Sequence, residues 1–411
     1  ANGIYEPTID QRLAGVEFTL TGVDGMGNDV ERTETTNAAG EFWFEDLLPS
    51  VANVHDDQVV RTLAYHQLSQ EPATVEGISP VISGNGQRVV YRYDTYGSNQ
   101  QAHIIVMDVD GTNRQEVDSP LGNTFAIDIS DDGSTIMSAR RTHDTNNCCV
   151  VRVVGADGVG EIGHFWTYST GSWRFRLSPD GSKVFFTADR DFNFLGTQVE
   201  AGLYVIDADA MDTPKNARAI VRRTDVENLL SKNVTQFHSS GNALDISSDG
   251  SRIVFGAKMQ DGEYLFGVNE DGSELHSIIN ADFLSQGGIS GDGSTIHYLI
   301  QHGIGTAAVD EAGVSNFFGG DHRVLATGPP ADGTFSASQH ISHDGSLLLV
   351  GDSQHIYRTD GSGSLDLVTA IDNFSPVLSS AYSFTMNSAG DQVTYIRGPS
   401  NARQVYTIDI D

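Results

Sequence analysis

Residues 246–255 read Ile-Ser-Ser-Asp-Gly-Ser-Arg-Ile-Val-Phe: an apolar residue, a short hydroxyl, an Asp-Gly pair, then a run rich in β-branched and aromatic side chains. Glycine supplies the positive φ that a tight turn demands, and the flanking residues favour extended backbone, so the stretch predicts two antiparallel strands joined by a turn. Six relatives of it occur in the same chain, at residues 82–91, 129–138, 177–186, 289–298, 341–350 and 386–395. Their turn glycines, Gly86, Gly133, Gly181, Gly250, Gly293, Gly345 and Gly390, lie 47, 48, 69, 43, 52 and 45 residues apart. A recurring unit of that length fits four short strands.

Each unit holds a second apolar run downstream, at residues 103–111, 149–158, 202–210, 264–272, 305–313, 355–363 and 404–411, most of them closing on an Asp-Gly or similar turn. Every unit therefore reads strand, turn, strand, loop, strand, turn, strand. Three residues before each turn glycine stands Ser83, Ser130, Ser178, Ser247, Ser290, Ser342 or Asn387, a short polar side chain suited to bonding the turn backbone. We read these serines as structural.

These segments resemble the repeat of TolB-like (WD-repeat-like) β-propellers, whose core is Ser-Pro-Asp-Gly followed by an apolar strand. The resemblance covers about residues 78 to 411 and implies an all-β fold with a seven-bladed β-propeller. It is a poor guide to activity, because such propellers serve as scaffolds, gating domains and lyases. Residues 1–50 differ: Asn2 to Glu6, Leu13 to Gly22 and Thr35 to Pro49 are similar to the SdrD B-like modules of bacterial surface proteins, small β-sandwiches. The first strand of such a module would lie before Ala1, so the expected sandwich is incomplete. The resulting division is a partial module at 1–50, a linker with a closing strand at 51–77, and the propeller at 78–411. Within it, residues 58–69 have strand-like composition and are expected to pair with residues 405–409, supplying the outer strand that the last blade lacks.

The SdrD B-like resemblance implies a calcium loop in which Asn2, the Ile4 carbonyl, Glu6 and Asp10 match ligand positions, since a hard cation collects oxygens. The alternative is a shortened loop that holds no ion. Cys148 and Cys149 are adjacent and the only cysteines. Neighbouring Cα atoms stand about 3.8 Å apart, below the roughly 4.4 Å at which ordinary disulfides begin, so a bond between them needs a distorted turn. A vicinal disulfide and two thiols remain alternatives.

Five residues before the turn glycines the first strands carry Val81, Asp128, Arg176, Asp245, Gly288, His340 and Thr385, while the next position is always apolar. Period-2 geometry sends this mixed row to one face of each strand, toward the axis of a propeller. Asp128, Arg176, Asp245 and His340 are accordingly the ligand-binding candidates, with mutual ion pairing and bound water as the alternative use. The long connections, residues 189–202, 222–242, 319–339 and 370–383, are expected to be loops on one face.

The 411 residues carry 55 acidic against 24 basic side chains, a formal charge of -31, which argues against nucleic acid and anionic membrane surfaces. No run approaches the roughly 18 apolar residues of a membrane span. Only four basic residues are lysines, Lys183, Lys215, Lys232 and Lys258. An acid-rich, lysine-poor surface suits a marine or halophilic setting; a genome that writes Arg for Lys is the alternative. The absence of His-x-x-x-His, Cys-x-x-Cys and Gly-x-Ser-x-Gly patterns gives no support to a zinc hydrolase or a serine peptidase. The expected function is non-enzymatic: an exported or cell-surface protein, extracellular or periplasmic, binding other surface proteins or copies of itself. The alternative is a polysaccharide-acting lyase or hydrolase working at the channel mouth.

Overall fold

A computed structural model describes residues 15–23, 29–36, 65–70, 75–95, 102–118, 123–141, 149–158, 160–167, 173–189, 191–194, 197–211, 216–237, 242–303, 309–328, 339–350, 355–367, 382–397 and 403–410. The chain forms two compact units, Ala1–Arg61 and Thr62–Asp411. The larger unit thus starts inside the segment expected to be a linker.

In the first unit the described structure is one antiparallel hairpin, Glu17–Val23 against Asp29–Thr35, in register from Glu17↔Thr35 to Val23↔Asp29. Asn2, Ile4, Glu6 and Asp10 lie outside the described residues, as does most of the segment likened to a sandwich.

The second unit is all-β and propeller-like. Among the described residues it holds five separate four-stranded sheets, one nine-stranded sheet, one two-stranded hairpin and a single short α-helix, Arg223–Leu230. Each four-stranded sheet that follows the chain is a meander; the first, for example, runs Val75–Ile82, Arg88–Thr95, Ala102–Asp108 and Gln115–Asp118. The nine-stranded sheet corrects the expectation of seven separate ones. Its two halves hold the repeats at residues 246–255 and 289–298 and are joined where Asn242↔Gln286 and Ala243↔Gly287 pair in parallel. Packing is close beside this junction: a Cβ on Gly287 would come within 2.7 Å of the Leu265 side chain, and one on Gly288 within 2.7 Å of Asp245 Oδ2.

The first strands of the seven repeats, Val75–Ile82, Asn123–Ile129, Trp173–Leu177, Asn242–Ile246, Phe283–Ile289, Gln339–Ile341 and Tyr382–Met386, adjoin one another in that order, and the last returns to the first. Both ends of this unit share one sheet, in which Tyr65–Gln67 pairs with Gln404–Asp409 (Tyr65↔Ile408, His66↔Thr407, Gln67↔Tyr406). Ser69 extends the closure, its buried Oγ accepting from Val405 N–H (2.8 Å). Between sheets lie apolar clusters, the largest joining Phe185, Leu203 and Val205 to Phe237, Phe255 and Phe266.

The turns use the residues the repeat suggested. Ser247 Oγ accepts from Arg252 N–H (3.0 Å) and donates to Asp249 Oδ1 (2.6 Å), which also accepts from Ser251 N–H (2.9 Å), while Gly250 adopts φ 73°. In the last repeat, where Ala389 replaces the aspartate, Asn387 takes over: its Oδ1 accepts from Gln392 N–H (3.1 Å) and its Nδ2 donates to Asp391 Oδ1 (2.7 Å).

Three expectations about connections are corrected. Residues 222–242 are not a plain loop: they contain the helix Arg223–Leu230 and the strand Val234–Gln236, which pairs with Arg252–Met259. Residues 189–202 include the hairpin Phe192–Phe194 with Thr197–Val199, and residues 319–339 begin with the outer strand Arg323–Gly328. The turn expected near Gly313 lies later, at Asn316 to Gly320, inside the bonds Gly319 N–H to Asn316 O and Asn316 N–H to Gly320 O. Gly313 sits mid-strand because a Cβ there would stand 2.5 Å from the Tyr298 hydroxyl.

Candidate functional site

The seven first strands enclose a cavity of about 450 Å³. Val81, Asp128, Arg176, Asp245, His340 and Thr385 line it, one from each of six strands. The remaining strand contributes Gly288 at this level, and the side chain that fills its place comes from the neighbouring strand: His297 pairs with Gly288 across the hairpin. A Cβ at 288 would overlap both His297 Nε2 and Asp245 Oδ2. His297 is the residue the row-by-row reading missed. Its signal was present, because the other six row positions face Val90, Met137, Phe185, Val254, Leu349 and Thr394, none of them ionisable.

The two aspartates act across the gaps between repeats. Asp128 Oδ2 accepts from Leu177 N–H (3.0 Å) of the next first strand, and its Oδ1 accepts from Ile129 N–H (3.1 Å). Asp245 Oδ2 does the same for Ile289 N–H (3.1 Å). Arg176 stands between them: Nε donates to Leu244 O (3.0 Å), and its guanidinium lies 3.9 Å from Asp128 and 3.8 Å from Asp245. Withdrawal from water pushes the Asp128 carboxyl up, against the Arg176 charge and the two amide bonds. Burial works against the Arg176 charge, but the Asp128 and Asp245 charges overcome it and raise its pKa.

The far side of the cavity is polar and uncharged. His297 Nδ1 lies 2.9 Å from Gln339 Oε1, and Gln339 N–H donates to Gln286 Oε1 (2.7 Å). Burial lowers the His297 pKa. His340 is pushed down to about 3, first by loss of hydration, then by the Arg176 charge and His297, so its ring is neutral at physiological pH.

The residues two before each turn glycine also line the cavity, and the carbonyls of six of the seven accept an N–H from a neighbouring repeat. Asn85 N–H donates to Asp131 O (2.8 Å), Asp131 to Pro179 O (2.7 Å), Ser248 to Gly291 O (2.8 Å), Asp292 to His343 O (2.8 Å), His343 to Ser388 O (2.6 Å) and Ser388 to Gly84 O (3.0 Å). Pro179 has no N–H, and there the circle is broken. Within this collar Ser248 bonds the Asp131 carboxylate and lies 3.3 Å from His343 Nδ1. Serine, not histidine, is the middle member, so the trio lacks the order that makes a serine nucleophile, in which the imidazole relays the proton.

No three His, Cys, Asp or Glu side chains among the described residues are grouped to hold a metal ion. Cys148 lies outside the described residues, while Cys149 opens the strand Cys149–Gly155. No helix among the described residues is long and apolar enough to cross a membrane.

No family model matches this chain, and no curated protein matches it in sequence. Solved structures do. Oligogalacturonate lyase from Vibrio parahaemolyticus is 16% identical over 85% of this chain and 97% of its own, with a TM-score of 0.55. A β-propeller domain from Myceliophteria thermophila is 8% identical over 84% of this chain and 99% of its own, with a TM-score of 0.50. TolB from Acinetobacter baumannii aligns with 98% of this chain and 78% of its own at 12% identity and a TM-score of 0.43. At such identities the likeness establishes a β-propeller fold alone.

Proposed function

We propose that this chain is an exported or cell-surface binding and assembly protein that catalyses no reaction, with other surface proteins or further copies of itself as partners. The observation that carries this reading is how the cavity carboxylates are used: Asp128 and Asp245 each cap a backbone N–H of the following first strand. A general acid or base needs a proton it can exchange with substrate, whereas these groups are occupied in holding neighbouring repeats together. We further read the ring as seven-bladed, each half of the nine-stranded sheet counting as one blade, because seven first strands adjoin in a closed order.

The contact surfaces in this reading are the N-terminal unit and the face bearing the long connections, where the helix Arg223–Leu230 and the hairpin at 192–199 stand. Among the described residues the hairpin Glu17–Val23/Asp29–Thr35 pairs with no third strand, and a partner's strand would add at its edges. Light scattering and imaging of the full chain test it, with a defined multimer or a captured partner expected and a strictly monomeric particle contradicting it.

A polysaccharide-acting enzyme is the second reading, and what favours it is a neutral His340 in the same cavity as Arg176. Turnover of an acidic polysaccharide, abolished in both His340→Gln and Asp245→Asn, would replace the association reading.

A further inference from the structure

Arg176 and His340 hold bonding capacity that the protein leaves unspent. Of the Arg176 guanidinium, only Nε hydrogen-bonds, to Leu244 O; both flanking carboxylates lie beyond hydrogen-bond distance, at 3.9 and 3.8 Å. The two Nη groups, four N–H donors in a planar fork, have no hydrogen-bond partner among the described residues. Nor does either ring nitrogen of His340. Both side chains line the same cavity, on first strands three places apart around the ring. Asp128 and Asp245 act on the guanidinium by charge, from 3.9 and 3.8 Å, while three of their oxygens accept from Leu177, Ile129 and Ile289 N–H groups, so neither carboxylate hydrogen-bonds the fork.

The charge balance of the wall differs from that of the molecule. In a chain of net charge -31, the cavity is lined by Arg92, Arg174 and Arg176 beside Asp128, Asp131 and Asp245, with the nearby Asp189 offsetting the Arg174 charge. Arg174 and Arg176 fall on the same face of one strand, two residues apart. A small anion therefore meets far less repulsion inside than at the surface.

We propose that the cavity binds a small hydroxycarboxylate, its carboxylate on the Arg176 Nη fork and a hydroxyl on the His340 ring. A guanidinium fork matches the two oxygens of a carboxylate, which a chloride or a hydroxyl alone cannot reproduce. A neutral imidazole accepts from a hydroxyl with one nitrogen and donates with the other. The neutrality of His340 down to about pH 3 fits that part. The volume, about 450 Å³, lies in the usual range for small-molecule sites. Binding of this kind needs no turnover and rests on neither functional reading above.

Calorimetric titration of the full chain at fixed ionic strength tests it, with gluconate as the probe, hexanoate as a carboxylate of equal chain length without hydroxyls, and chloride. Gluconate should bind saturably, hexanoate about tenfold more weakly for want of the hydroxyl contact, and chloride not at all. Arg176→Lys, which keeps the charge and loses the fork, should abolish gluconate binding. His340→Phe should reduce gluconate to the affinity of hexanoate and leave hexanoate unchanged, an outcome that general damage to the fold would not give. No saturable heat with gluconate, equal affinities for gluconate and hexanoate, or gluconate binding unchanged in Arg176→Lys overturns the proposal. Should Arg176→Lys fail to fold, the wild-type comparison and His340→Phe still decide.

Discussion

The repeating serine is the smallest unit on which the architecture depends. Ser247 is fully buried and serves both the strand after the turn, through Arg252 N–H, and the turn aspartate. Ser247→Ala strands that amide and frees the aspartate, so the fold should lose about 1–3 kcal/mol, read as a lower denaturant midpoint. His340 makes its contribution through pH. An imidazole kept neutral in the folded chain but protonated in the unfolded one stabilises the fold above its ordinary value of 6.5, and that stability is lost as pH falls from there toward about 3. The denaturation midpoint of the wild type should therefore fall more steeply between about pH 6 and 4 than that of His340→Phe; parallel curves would contradict the neutral ring.

At the scale of elements, the Asp-Gly turns were plain in the sequence because a turn of that kind admits few residues, and the same period placed the polar row. The helix Arg223–Leu230 was hidden, since one short helix of mixed polarity carries too few apolar positions to show a 3.6-residue period. Gly313 misled for a related reason: glycine answers both to turns and to close packing, and here Tyr298 required it. His297 needed the hairpin register, which the turn itself fixes, to be seen opposite Gly288. The closing strand is short, only Tyr65–Gln67, and leans on Ser69. Ser69→Ala leaves the buried Val405 N–H without its acceptor and should destabilise the ring by about 1–3 kcal/mol. Hydrogen exchange should show Val405 and Leu68 opening together; if only the local amide opens faster while the denaturation midpoint holds, the strand is not closing the ring.

For the whole molecule, charge sets the conditions of stability. A net charge of -31 repels across a compact fold, and salt screens it over a Debye length that falls from about 10 Å at 0.1 M to 3 Å at 1 M. The melting temperature should rise between dilute buffer and molar salt, and a flat response would remove the halophilic reading. Inside, the charged groups are arranged around architecture: Asp128 and Asp245 tie successive first strands, and a collar of backbone bonds joins neighbouring repeats, broken at Pro179. That the cavity carboxylates hold the ring together is the central claim, and native-state hydrogen exchange on Asp245→Ala examines it directly. Ile289 N–H should be well protected in the wild type and lose at least tenfold in protection in the variant, with Leu177 N–H, capped by Asp128, unchanged. Unaltered protection of Ile289, with the variant's stability equal to that of the wild type, would contradict the account.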